Sequence, residues 1–266
     1  VRLLPLLLCA FTQKDMKCGR KAVMWIALAL CLICAVLLAL ALHSRAEHAK
    51  PASKDPEGAI AAQEDEDRIV DVPVDFAAWQ ERNPDVYAWI EYPGTNVDYP
   101  IVQSAEDDAY YLRRDIDGKE AVAGSLYTEH TYNSKTFDDP VTVIYGHNMA
   151  NRTMFGGLQS HIEAADLAST EEYFYVYLPG RILTYRVVGG APGDDAHILY
   201  YNDFSDPTGF SNYFGNLYAQ SGGHVNLPGL LRPSPDDRVV ILATCMNGEK
   251  YLRYLIIGVL TDDTAD

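Results

Sequence analysis

Cysteine is nearly missing from this chain once its start is passed. Of five in 266 residues, Cys9, Cys18, Cys31 and Cys34 sit near the beginning and Cys245 stands alone. A lone cysteine cannot close an intrachain disulfide in the later region, so Cys245 is either an inert buried hydrophobe or a reactive thiol. Metal spacings are missing too. No C-x-x-C or H-x-x-x-H occurs after residue 42, which argues against a structural or catalytic zinc, and no cofactor is expected. Basic charge is scarce: 21 Lys and Arg face 37 Asp and Glu. Five of the bases (Arg2, Lys14, Lys17, Arg20, Lys21) and one acid (Asp15) precede residue 43, so the remainder carries a formal balance of −20. That sign excludes nucleic acid and anionic lipid as partner surfaces, since both require cationic patches.

What is present begins with Ala22 to Leu42, 21 residues without a charge. As a helix this run reaches about 31 Å, the thickness of a bilayer's hydrocarbon core, and it is expected to be a single transmembrane anchor. The basic cluster before it places residues 1–21 in the cytoplasm and everything after the anchor outside, at the cell membrane. A cleavable signal peptide is the competing reading. It is weakened by the length of the run and by the lack of a small-x-small site before His43-Ser44-Arg45. Within the anchor, Cys31 and Cys34 read as small apolar filler. The compact basic lead-in MKCGRKAVMW points to Met16, rather than Val1, as the start. Residues 43–72 turn to Ala, Glu, Asp, Lys and Pro, too polar to offset their ordering entropy, and read as an acidic stalk.

Residues 73–266 form the expected folded domain. Asp75 caps a helical run from Phe76 to Arg82 that Pro84 closes. Short apolar strands then recur between turn signals: Val86 to Ile90, Val97 to Val102, a strand beginning in Gly124 to Thr128, Val141 to Tyr145, and the hairpin of Tyr173 to Leu178 with Ile182 to Val188. After His147, Met154, Phe155 and Leu158 are expected to form one helical turn. Few long helices intervene, which favours a mainly β fold with a closed or nearly closed sheet.

The stretch Val239 to Leu260 carries the chemistry. Two strands flank the Asn247-Gly248 turn, with Cys245 at the end of the first and Arg253 just inside the second. A thiol to attack a carbonyl beside a fixed cation to hold the oxyanion suits acyl transfer. The base is expected at His147, where Gly146 after the strand VTVIY relieves crowding so that the imidazole leans over a neighbouring strand's cysteine. Cys245 would attack a peptide carbonyl, Arg253 would stabilise the tetrahedral oxyanion or hold the substrate backbone, and His147 would protonate the leaving amine. His130, His161, His197 and His224 read as surface or capping residues. Glu249, Asp236 and Asp237 read as solvated turn acids, and Asn148 and Asn151 receive no role.

The segments VTVIYGHNM with TMFGGL, ILATC with LRYLIIGVL, and NPDVYAWIEYPGTNVDYPIVQ followed by Tyr110-Tyr111-Leu112 together resemble those of class B sortases, membrane-tethered cysteine transpeptidases of Gram-positive bacteria. The resemblance runs from about Val74 to Leu260. It implies a closed barrel of about eight strands with an N-terminal helix, and a helix-bearing insertion in Gly189 to Asp237 that walls the substrate groove. It makes Tyr201, Phe210, Tyr213 and Tyr218 candidates to touch a peptide. Thr244 stands where relatives carry Thr or Ser, its hydroxyl either bonding substrate or simply favouring a strand. Relatives often carry an acid within a short aromatic strand where this chain has Tyr127-Thr128-Glu129-His130, which leaves Glu129 unassigned. The implied donor is a sorting-signal peptide of a surface protein, and the implied acceptor is a wall-peptide amine of peptidoglycan or its precursor. Two alternatives stay open: a pilus-polymerising transpeptidase with a pilin lysine as acceptor, and a non-catalytic anchored β-barrel used for binding, which requires a buried, unreactive Cys245.

Overall fold

A computed structural model of the chain describes residues 70–249 and 251–265. The expected cytoplasmic segment, membrane anchor and nearly all of the stalk lie outside the described residues. Among the described residues, no helix is long and apolar enough to cross a membrane.

Eight strands close into a barrel: β1 (Val86–Tyr92), β2 (Val97–Val102), β3 (Leu126–Tyr127), β4 (Val141–Tyr145), β5 (Tyr173–Leu178), β6 (Arg181–Asp194), β7 (Val239–Cys245) and β8 (Leu252–Asp263). Around the ring they run β1-β2-β3-β4-β7-β8-β6-β5, and β5 pairs back onto β1. The pairs β2/β3 and β4/β7 are parallel and the rest antiparallel. Helix α1 (Phe76–Arg82) precedes the barrel, its first turn closed by the Asp75 carboxylate accepting from Ala78 N at 3.0 Å. It ends at Asn83, ahead of Pro84, because the residue before a proline is pushed out of the helical region. Helix α2 (Leu158–Ala164) follows β4, and α3 (Ile198–Tyr201) and α4 (Pro207–Tyr218) lie between β6 and β7.

Side-chain alternation explains why β7 is apolar on both faces from Val239 to Ala243. Val240 and Leu242 turn into the barrel with Ile90, Ile144, Phe174, Tyr185, Tyr254 and Ile256. Val239, Ile241 and Ala243 face outward, where with Val143, Leu255 and Ile257 they pack against Ile198, Phe204, Phe210, Phe214 and Leu217 of the insertion. A strand buried on both faces reads as a continuous hydrophobic run, and here the insertion supplies the second cover. Burying side chains of that size stabilises the fold by about 1.5–3 kcal/mol each.

Several local expectations need correction. The strand expected in Gly124 to Thr128 reduces to Leu126–Tyr127. Met154 and Phe155 are buried but not helical; Met154 has φ 55°, and α2 starts only at Leu158. The second hairpin strand does not stop at Val188. It continues to Asp194 through Gly189 and Gly190, where a β-carbon would press on Leu227 and on Ile162 and Tyr254. Those glycines mark close packing inside a strand rather than its end.

Candidate active site

The register of three adjacent strands brings three side chains together. Parallel pairing of β4 with β7 ends at Tyr145 opposite Ala243, followed by one more backbone bond, Gly146 N to Ala243 O at 3.1 Å. His147 and Cys245 each stand two residues beyond that last pair, so the imidazole and thiol meet at the same rim. Antiparallel pairing of β7 with β8 places Arg253 directly opposite Cys245. Alternation carries Cys245 onto the same face as Ala243 and Ile241, beneath the insertion and not inside the barrel. The thiol is free and exposed, which removes the buried cysteine that the binding-module alternative requires.

Gly146 is needed for this approach. A β-carbon there would collide with the side chains of Leu126 and Phe155. His147 Nε2 lies 2.8 Å from Leu112 O. A carbonyl only accepts, so Nε2 carries the proton and Nδ1 is left as the ring's basic nitrogen. The orienting partner of this imidazole is therefore a backbone carbonyl from the 3-10 turn Tyr110–Arg113.

The thiol and imidazole border the same cavity, and each shifts the other. Interaction with His147 draws the Cys245 thiol below its ordinary range against the opposing effect of burial, with further help from the Arg253 and His147 charges. The same interaction raises His147, burial again opposing and the Leu112 carbonyl adding to the rise. Both shifts favour thiolate and imidazolium. Arg253 Nη1 donates to Leu252 O at 3.3 Å, and no carboxylate among the described residues pairs with its guanidinium. Its charge is available to an anionic centre.

These groups open onto a cavity of about 230 Å³ bordered by Leu112, Tyr127, Tyr145, His147, Asp194 to Ile198, Cys245 and Arg253. Tyr127 and Tyr145 stack across one side with centroids 5.4 Å apart. At one end Glu129, buried and held above the usual carboxylate range by that burial, meets His197 Nε2 at 2.9 Å. His197 Nδ1 accepts from Tyr200 N at 3.0 Å, so the ring caps α3 while its other nitrogen ties the insertion to the barrel.

Of the groove residues expected from sequence, Tyr213 and Tyr218 pack against the insertion's own core, and Phe210 is fully buried there. Tyr218 hydroxyl donates to Val188 O at 3.1 Å. None of these three borders the Cys245 cavity, because α4 turns its aromatic face onto β4, β7 and β8. Tyr201 is exposed but lies outside the cavity border. Thr244 borders it as a residue of β7, yet alternation turns its side chain inward, and its Oγ1 is buried without a hydrogen-bond partner among the described residues. The wall at Asp194 to Ile198 falls within the insertion expected to line the groove, whereas sequence reasoning missed the Leu112 carbonyl, the Glu129–His197 pair and Asn148. A main-chain oxygen has no residue type to read, and the others are common polar residues outside the strands. Among the described residues, no group of three or more His, Cys, Asp or Glu side chains could hold a metal ion.

No family model matches the chain. It is 30% identical over 174 residues to sortase B of Listeria monocytogenes, an alignment covering 65% of this chain and 67% of that protein. The solved structure of Listeria monocytogenes sortase B superposes with a TM-score of 0.56 at 28% identity, covering 70% of this chain and 99% of the other. The Clostridium perfringens sortase B structure shares the fold, with a TM-score of 0.59 at 24% identity over 70% of this chain and all (100%) of the other. With this barrel, this order of strands and this degree of identity, the chain belongs to the class B sortase family of transpeptidases.

Proposed function

We propose that the protein cleaves a C-terminal sorting signal through a thioester on Cys245 and transfers the acyl group to an amine of a cell-wall peptide. The observation that carries this reading is the exposed Cys245 thiol, sharing one cavity with His147 and standing opposite Arg253 across β7 and β8. The thiolate adds to the scissile carbonyl carbon, and the electron pair displaced onto oxygen is held by Arg253. Collapse of this adduct breaks the C–N bond as His147 gives its proton to the departing amine, leaving the thioester and a neutral imidazole. An incoming amine then adds to the thioester carbonyl, His147 removes a proton from it, and the C–S bond breaks to restore the thiolate. A Staphylococcus aureus sortase B of this fold is known as a substrate complex, which supports placing the donor peptide in the cavity beside Cys245. In the cell, residues 22–42 would anchor the chain in the membrane with this domain outside.

The test is cleavage of a sorting-motif peptide library by the full chain, with and without an amine acceptor. Cys245→Ala and His147→Ala are expected to abolish turnover, and a covalent acyl adduct on Cys245 should appear by mass spectrometry when acceptor is withheld. Turnover by Cys245→Ala, or an adduct on any other residue, would overturn the reading.

A further inference from the structure

A parallel ladder repeats its hydrogen bonds every second residue. After Gly146 N to Ala243 O, the next rung donated from the β4 side would therefore run from residue 148 N to Cys245 O. That backbone rung is not made. The chain leaves the sheet after Gly146 and folds back on itself, with Phe155 N bonding His147 O at 3.0 Å and Asn148 bridging to Met154. The Asn148 side chain makes the missing bond instead. Its Nδ2 donates to Cys245 O at 2.8 Å and to Asn247 Oδ1 at 2.9 Å. Because a carbonyl oxygen only accepts, the amide nitrogen must be the atom that faces it. From the other side, Gln159 Oε1 accepts from Asn247 N at 3.1 Å, and Gln159 is itself held by Glu163 at 2.8 Å.

We propose that Asn148 is a positioning residue for the thiol–imidazole pair, its carboxamide standing in for the lost rung of the β4/β7 ladder. The substitution resolves a geometric conflict. Backbone continued in the strand would keep His147 in the pleat; backbone that simply departed would leave the end of β7 unsupported at Cys245. A side-chain amide lets the main chain turn away, so that the imidazole leans over the thiol, while Cys245 stays at ladder spacing from the segment carrying His147. The inference rests on the reading of Cys245 and His147 as nucleophile and base.

The test uses the full chain and its Asn148→Ala, Asn148→Asp and Asn247→Ala variants. Two quantities are followed: the pH dependence of iodoacetamide alkylation at Cys245, read by mass spectrometry on the peptide containing it, and kcat and KM for the library peptide that the wild-type protein cuts fastest. Asn148→Ala is expected to lower kcat about 10–100-fold with little change in KM, the scale on which small misplacements act. It should also move the alkylation midpoint up toward that of a free thiol. Asn148→Asp, isosteric but presenting an oxygen to Cys245 O and a negative charge near the thiolate, is expected to shift both at least as far, and it carries the test if the alanine variant does not fold. Asn247→Ala removes the outer bond alone and should have the smaller effect. An unmoved midpoint overturns the proposal, whether activity is kept or falls together with the melting temperature, and so does a retained kcat. Turnover by Cys245→Ala is a separate result that would sink the catalytic reading itself.

Discussion

Cys245 and His147 move each other's protonation in opposite senses, the thiol down and the imidazole up, through their mutual interaction. The pair therefore titrates as a unit. Under the proposed mechanism, lowering the pH protonates the thiolate and removes the nucleophile; raising it deprotonates the imidazolium and removes the acid that serves the leaving amine. The expected kcat/KM profile is a bell with its acid limb below the ordinary thiol value of about 8.5 and its basic limb above the ordinary imidazole value of about 6.5. A sigmoid rising through the free-thiol value, measured by stopped assays across pH, would show that the two groups do not interact. Arg253 is half-buried, lacks a carboxylate partner among the described residues and faces the thiol, so Arg253→Ala is expected to cost about 10²–10³-fold in kcat. Its circular dichroism should match wild type, and wild-type cleavage rates would remove it from the mechanism. At this scale the three candidate side chains were legible because a lone cysteine, a glycine-preceded histidine and a strand-borne arginine are rare in their settings. The carbonyl of Leu112 was not, since every residue carries one.

At the scale of elements, what decides the site is where strands stop pairing. β4 and β7 run apolar to their last paired residues, Tyr145 and Ala243, and the next residue of β4's chain is a glycine whose missing side chain is occupied by Leu126 and Phe155. Gly146→Val is expected to destabilise the protein by about 1–3 kcal/mol through overpacking. It should depress kcat more than KM, because the displaced group is the segment that carries His147; thermal unfolding and kinetics on one preparation test both parts. Most strand positions followed from alternation and turn residues. The places that did not follow share one cause, tertiary contact overriding local pattern. Gly189 and Gly190 look like a strand end but are strand interior, because the Leu227, Ile162 and Tyr254 side chains fill the space a β-carbon would take. Met154 and Phe155 keep helical spacing with Leu158 yet sit in a turn, because Phe155 is committed to the barrel core and to the space beside Gly146.

For the whole barrel, the end opposite the cavity is tied by charge. Asp263, at the end of β8, accepts from Arg181 Nη2 at 2.6 Å and Arg238 Nη2 at 2.9 Å, and both guanidinium groups also reach Asp138. The Arg181 contact holds the Asp263 carboxyl down to about 2, against the effect of its burial. A depressed folded value stabilises the protein above the unfolded carboxylate value of about 3.9 and loses that contribution as pH falls toward the folded one. Asp263→Asn is expected to lower stability by about 3 kcal/mol at neutral pH. The gap from wild type should narrow below about pH 4; a gap constant from pH 7 to pH 3 in thermal melts would refute the assignment. Kinetics are expected to stay near wild type, since this clamp lies at the far rim.

The amino-acid sequence by itself determined the mainly β character and the family resemblance and singled out Cys245, His147 and Arg253 as candidates, because rare reactive residue types and short-range apolar periodicity are local properties of the chain. Only the tertiary structure decided that His147 faces Cys245, which face of β7 bears the thiol, that α4 turns Phe210, Tyr213 and Tyr218 into packing rather than toward the cavity, and that an asparagine side chain completes the ladder beside Cys245. Each of these depends on the register between strands about a hundred residues apart, and register is set by the closure of the barrel as a whole.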